Sequence, residues 1–284
     1  MVNIVIVSHS RRLAEGVVEL AAQMTRGRIK LAIAAGIDDP DNDNNSGIGT
    51  DAVAVMSAIK QVYSDDGVLV LVDMGSAILS ADMALELLDS KQAKNVYVCA
   101  APLIEGSIAA SVAAAAGMTI DQVINEAHGA LAAKYQQLNQ TIPHPTEISS
   151  VASLAAAPLS SASLSAASLS TASLSTDSSK AVIPQSGELL QFSWQIKNPH
   201  GIHLRSAAAI VTAVSQFDAD VWLRKGDQQI NAKSVNKIAL LGIKHHDTVI
   251  CITQGKEAVQ AINAFRTLAQ RHFGEDFPGE DSTQ

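Results

Sequence analysis

Between residues 151 and 179 the chain reads VASLAAAPLSSASLSAASLSTASLSTDSS, and the pentads SASLS, AASLS and TASLS follow one another from 161 to 175. Such a stretch has almost no charge, few bulky side chains and no amphipathic stripe wide enough to bury. It therefore has nothing to set against the entropy of ordering its backbone. With Pro143, Pro145, Pro158 and Pro184 in and around it, residues 139–187 are expected to form a flexible linker. A chain of that length and composition keeps its ends about 35 to 40 Å apart on average. No single fold runs through such a segment, so the sequence divides into a domain at 1–138, the linker, a second domain at 188–274 and a tail at 275–284.

The first flank alternates strand-length apolar runs with helical patterns. VNIVIVS precedes RRLAEGVVELAAQM, IKLAIAA precedes a polar loop and TDAVAVMSAIKQVY, GVLVLVDM precedes SAILSADMALELL, and NVYVCAAP precedes two further helices ending near 138. Continuous Val/Ile runs mark strands covered on both faces, and their alternation with helices marks βαβ crossovers. The expected fold is α/β with a mainly parallel sheet. The second flank orders its elements differently: strands near 189–196, 219–224, 228–232 and 247–253, with helices from 204, over 234–242 and over 256–272. That order predicts a small α+β open-faced sandwich, an antiparallel sheet with helices on one face.

Charge and cysteine usage narrow the function. A net charge of −8 with no clustered basic stripe argues against a nucleic-acid binder, which needs cations to displace phosphate counterions. Cys99 and Cys251 lie far apart in apolar runs and read as two reduced, buried thiols. The start of the chain lacks the basic region of a signal peptide, and no uninterrupted apolar segment approaches the ~20 residues that span a bilayer. A cytoplasmic protein without membrane partners is expected.

Two of the eight histidines stand apart. His9 follows the strand VNIVIV, flanked by Ser8 and Ser10, either of which can cap the next helix. In open α/β sheets ligands gather at the carboxyl ends of strands. The third strand delivers Asp73, then Gly75 and Ser76, to the same edge. If the strands are neighbours, Asp73 can hold one ring nitrogen of His9 protonated and leave the other with its lone pair, as a nucleophilic histidine requires. The loop AAGIDDPDNDNNSGIGTD, with Gly47, Gly49 and Thr50 as the expected cap, could wrap an anion there. His203 falls at the first turn of a helix, where the dipole favours an anion added to the ring, and Arg205 is placed to neutralise it. Ser234, ahead of VNKIALLGI, reads as a helix N-cap, with a regulatory phosphorylation site as the other reading.

The two histidine stretches together resemble proteins of the phosphoenolpyruvate-dependent phosphotransferase system. GIHLRSAA is similar to the G-[LI]-H-x-R-P-A pattern of the histidine phosphocarrier HPr, with Ser206 where that family usually has proline. AKSVNKIALLGI resembles the helix that carries its regulatory serine. In the first flank, IVIVSHSRRLAEGV, AIAAGIDDP, GIGTDAV, VDMGSAILSADMALELL and CAAPLIEGSIAA resemble a mannose-type enzyme IIA domain. More narrowly, they resemble the phosphoryl-donor subunits of the phosphotransferase-dependent dihydroxyacetone kinase.

That resemblance implies a relay. Enzyme I, charged by phosphoenolpyruvate, phosphorylates free HPr or the HPr-like domain at His203, and the phosphoryl group passes to His9. It then moves to ADP on the nucleotide-binding kinase subunit, whose ATP phosphorylates dihydroxyacetone held on a third subunit. Asp73, Ser76 and Arg205 are the implied phosphoryl-stabilising residues. The resemblance further implies a phosphotransferase subunit that dimerises with itself and holds no tightly bound cofactor, ADP and Mg being expected on the partner subunit. Some members carry a third, enzyme I-like domain; with the sequence stopping at Gln284, phosphoryl groups are expected from separate general proteins. Two rival readings share His9: the enzyme IIA component of a mannose-type sugar permease, and a regulatory module that only changes partners with its phosphorylation state. A self-sufficient ATP-dependent kinase is not expected, because the G-x-x-x-x-G-K-[ST] loop is missing.

Overall fold

The computed structural model describes residues 1–38, 47–140 and 189–275. The expected linker lies outside them apart from its first two residues, as does the expected tail apart from Glu275, and so does most of the polar loop after the second strand.

The N-terminal half is the expected α/β fold. Strands β1 (Asn3–Ser8), β2 (Leu31–Ala35), β3 (Val68–Val72) and β4 (Val96–Cys99) form a fully parallel sheet in the order β2-β1-β3-β4. All side chains of β1 and β3 are buried, as their unbroken apolar composition demands of strands sandwiched between helices. Helix α1 (Arg11–Thr25) buries Ala14, Val17, Ala21 and Thr25, a single stripe at helical spacing. Helices α2 (Ala52–Val62), α3 (Ser76–Leu87) and the one-turn α4 (Ser90–Ala93) follow. After β4 come three helices where the sequence suggested two: α5 (Leu103–Ala115), α6 (Ile120–Gly129) and α7 (Ala132–Gln137). The extra break falls at Ala130 and Leu131, directly after Gly129, the last residue of α6.

In the C-terminal half, β5 (Leu190–Gln195), β6 (Ala219–Lys225), β7 (Gln228–Asn231) and β8 (Thr248–Gly255) form an antiparallel sheet in the order β5-β8-β6-β7. Helices α8 (Leu204–Val214), α9 (Val235–Leu240) and α10 (Ala258–Gln270) accompany it, and a 3₁₀ turn at His272–Gly274 ends the described chain. The loop into α8 turns at Gly201, whose φ of 70° suits glycine; a Cβ there would sit 2.2 Å from the Ile243 carbonyl oxygen.

The two sheets are separate, and one apolar cluster joins the halves. Ala109, Val112 and Ala130 share one hydrophobic cluster with Ile196, Ala207, Val211, Val235 and Phe265. Helix α5 is apolar on every face and buried from Gly106 to Ala115, because the parallel sheet covers one side and α8 and α9 approach the other.

Candidate phosphoryl-transfer site

The strand order reverses direction at β1, since β2 lies on one side of it and β3 on the other; the carboxyl edge of such a switch point forms a crevice. Val7 pairs with Val72 in register, so His9 and Asp73 emerge from neighbouring strands side by side. Asp73 Oδ1 lies 2.9 Å from His9 Nδ1, and Oδ2 accepts the His9 backbone N–H at 2.8 Å and the Ser8 hydroxyl at 2.9 Å. The Met74 N–H donates to Oδ1 at 2.7 Å. Burial works to raise the pKa of Asp73, but these hydrogen bonds outweigh it and hold the carboxyl below its ordinary value of 3.8. A carboxylate, able only to accept, fixes the proton of His9 on Nδ1 and leaves the lone pair on Nε2.

His9 Nε2 lies 2.8 Å from Ser76 Oγ, at the first residue of α3. The hydroxyls continue inward: Thr50 Oγ1 is 3.2 Å from Ser76 Oγ and 2.9 Å from Ser80 Oγ. The expected cap at Thr50 belongs instead to Asp51, whose carboxylate accepts from the Ala54 N–H, and this frees Thr50 for the hydroxyl chain. Gly49 N–H donates to the His9 carbonyl at 3.0 Å, tying this loop to the histidine. Of the two serines offered as caps for α1, Ser10 takes that role and Ser8 braces Asp73. The hydroxyl chain through Thr50 and Ser80 escaped the sequence reading; a Thr and a Ser one helical turn beyond Ser76 carry no pattern until α2 and α3 are seen to pack together.

His203 is the N-cap of α8 rather than a residue of its first turn. Its imidazole faces the Ser206 N–H, and the Ser206 hydroxyl accepts from the His203 backbone N–H at 3.0 Å, a reciprocal capping box. Ser206 is fully buried, so the hydroxyl standing where the resemblance led one to expect a proline ring fixes the helix start by hydrogen bonding. Arg205 is not folded onto His203; its guanidinium donates to Gln23 Oε1 of α1 at 2.9 Å. Ser234 is the N-cap of α9, accepting from the Lys237 N–H at 3.2 Å. Both cysteines are free and buried, and among the described residues no group of three or more His, Cys, Asp or Glu is arranged to hold a metal. Among them, too, no helix is long and apolar enough to cross a membrane.

A histidine with a fixed nucleophilic nitrogen at the carboxyl edge of a parallel sheet, in one chain with a second histidine capping a helix of an open-faced sandwich, defines a protein of the phosphotransferase class. The family described as PTS system fructose IIA component matches residues 3–124, and that described as PTS HPr component phosphorylation site matches residues 190–271. The phosphoryl donor subunit DhaM of the PEP-dependent dihydroxyacetone kinase of Escherichia coli (strain K12) is 46% identical over 97% of this chain and 51% of its own length. The same subunit of Providencia stuartii is 39% identical over 99% of this chain and 52% of its own. A Listeria innocua protein named as phosphoryl donor subunit DhaM of PEP-dependent dihydroxyacetone kinase 2 is 31% identical over 44% of this chain and 96% of its own. The chain belongs to the family of these DhaM phosphoryl donor subunits, and it spans about half the length of the first two relatives.

Proposed function

We propose that this chain relays phosphoryl groups from phosphoenolpyruvate, through enzyme I and HPr or its own His203, to His9 and onward to ADP held on the nucleotide-binding subunit of a dihydroxyacetone kinase. The ATP so formed serves the subunit that holds dihydroxyacetone. The observation that carries this reading is the 2.9 Å contact between Asp73 and His9 Nδ1, which leaves the Nε2 lone pair facing the Ser76 hydroxyl at 2.8 Å. The Nε2 lone pair attacks the donor phosphohistidine, the donor P–N bond breaks, and the donor imidazole leaves with its electron pair. Positioning and charge neutralisation supply most of the catalysis in such transfers. Ser76, beside Nε2, is placed to donate to a phosphoryl oxygen. Arg205 does the same at the second histidine once released from Gln23. The chain works without a tightly bound cofactor, in the cytoplasm, and as a homodimer, which would cover the exposed stripe of Leu79, Met83 and Leu87 on α3. Ser234 serves as the cap of α9.

The test is to incubate the chain with phosphoenolpyruvate, enzyme I and HPr, follow acid-labile phosphate on His9 and His203 by mass spectrometry, and chase with the ADP-loaded kinase subunit. His9→Ala and His203→Ala variants run alongside. Label on His9 that discharges to ADP supports the relay. Label that discharges only to a sugar-permease IIB protein gives the function to sugar transport, and label that discharges to neither makes the chain a regulatory module.

A further inference from the structure

Three arginines meet where the two halves touch. A cavity of about 490 Å³ there is lined by Arg26 and Arg28, at the end of α1, and by Arg205, in the first turn of α8. Each half reaches across to the other. The Arg205 guanidinium donates to Gln23 Oε1 at 2.9 Å, and Arg26 Nη2 approaches Gly274 so closely that a Cβ there would sit 3.2 Å from it. The chain has eight arginines and a net charge of −8, so three guanidiniums around one space are not the overflow of a basic surface. No carboxylate lines the cavity, and among the described residues no ion pair involves an arginine. The group that Arg205 meets is a neutral amide, and Glu275, next to Gly274, instead turns Oε2 to Asn198 Nδ2 at 2.8 Å. The negative end of the α1 dipole amounts to about half a charge, too little to balance three cations. Like charges gathered without a counter-ion repel one another, and an anion placed between them turns that repulsion into attraction.

We propose that this cavity binds a small phosphate ester, gripped by Arg26 and Arg28 from one half and by Arg205 from the other. A phosphate ester dianion presents three terminal oxygens, and guanidinium forks pair with such oxygens through two parallel hydrogen bonds. A single carboxylate would leave two of the three charges unmatched. The volume lies within the about 300 to 1,000 Å³ of small-molecule sites and exceeds what inorganic phosphate fills, so the body of the ester has room beside Thr212 and Gln216. Because both halves supply ligands, the ester binds the closed arrangement in preference to a parted one and shifts the population toward it. It also holds Arg205 on the α1 side, away from His203. On the reading of His203 as a phosphoacceptor, on which this consequence rests, the ester slows phosphoryl uptake there. The proposed reaction itself ends in a small phosphate ester, so its product has the chemistry to restrain its own supply.

The experiment titrates the full chain by calorimetry with dihydroxyacetone phosphate and glycerol 3-phosphate, and with inorganic phosphate and sulfate at matched ionic strength. The expected result is saturable one-to-one binding of an ester and weaker binding of the two inorganic anions. Arg28→Gln and Arg205→Gln should each lose affinity on the order of tenfold. Both positions are exposed, and circular dichroism checks that the variants stay folded. Equal binding of ester and sulfate, the absence of saturation, or a loss confined to the arginine of one half overturns the proposal. A second arm uses a His9→Ala background charged by phosphoenolpyruvate and enzyme I, so that only His203 is read. Saturating ester should slow label uptake severalfold, and the same background carrying Arg28→Gln should label at one rate with and without it. Uptake that ester leaves unchanged while Arg28 is intact overturns the proposed restraint. A ligand-free chain that takes no label on His203 removes the reading of that histidine and the restraint with it, while the calorimetry still decides the site.

Discussion

Each oxygen of Asp73 accepts two hydrogen bonds, from Ser8 and the His9 backbone on one side and from the His9 ring and Met74 on the other. Asn in its place can offer acceptors on one side only, and its NH₂ would face either a backbone N–H or the ring. Asp73→Asn is therefore expected to slow phosphorylation of His9 on the order of 100-fold, read by the rate of label uptake, while the chain stays folded. The acid limb of stability tests the same contacts. Because the folded-state carboxyl titrates below its unfolded value, its contribution is complete above about pH 3.8 and disappears as pH falls further, through the folded value. Urea denaturation across pH should show the difference between the native chain and Asp73→Asn constant from neutrality to about that pH and shrinking below it. Burial pushes Cys251 up to about 12 and raises Cys99 as well, so at pH 8 neither thiol should react with a maleimide in the native chain, and both should react in urea. At this scale His9 and Asp73 were legible because a strand end followed by a capping serine is a local pattern. Thr50 was placed at this edge only as a cap, and Ser80 was missed, since the hydroxyl chain that joins them to Ser76 is a contact between distant parts of the chain.

The start of α8 shows how one element absorbs a departure from its family's usual sequence. A proline early in a helix pre-sets φ, whereas Ser206 supplies an acceptor for the His203 N–H and its own N–H to the imidazole. Ser206→Ala keeps the N–H but removes the acceptor inside a buried site. It should cost about 1 kcal/mol, measured by urea denaturation. The strands of both sheets were readable because unbroken Val/Ile runs and short alternating runs are distinct periodicities, and the end of β1 before His9 follows from the same reading. The break between α6 and α7 was missed although Gly129 precedes it, because the apolar periodicity runs on through Ala130 and Leu131, and the turn at His272–Gly274 was missed because its glycine comes at its end and its shape is set by what packs beneath it.

Packing of the two sheets onto a shared cluster places the two histidines at opposite ends of α1. His9 precedes its first turn, while Arg205, two residues from His203, bonds Gln23 near its last. At 1.5 Å per residue those ends are on the order of 18 Å apart, far beyond the ~3 Å at which one nitrogen can attack phosphorus on another. Nothing in the sequence marked α5 as the helix between the halves, since an Ala-rich run apolar on all faces fits any tightly packed core. Arg26, Arg28 and Arg205 line one cavity of about 490 Å³ at this contact, gathering like charges there. Transfer from His203 to His9 within one chain thus requires the halves to part. Gly129 and Asn236 face each other across the contact, a Cβ at Gly129 lying 3.3 Å from Asn236 Nδ2, and Gly129→Cys with Asn236→Cys offers a reducible bridge. In dilute protein charged by phosphoenolpyruvate and enzyme I without free HPr, the oxidised variant should leave His9 unlabelled, and reduction should restore the label. Label reaching His9 at the same rate in the bridged chain would mean that the closed arrangement hands its phosphoryl group directly to the His9 of a second copy.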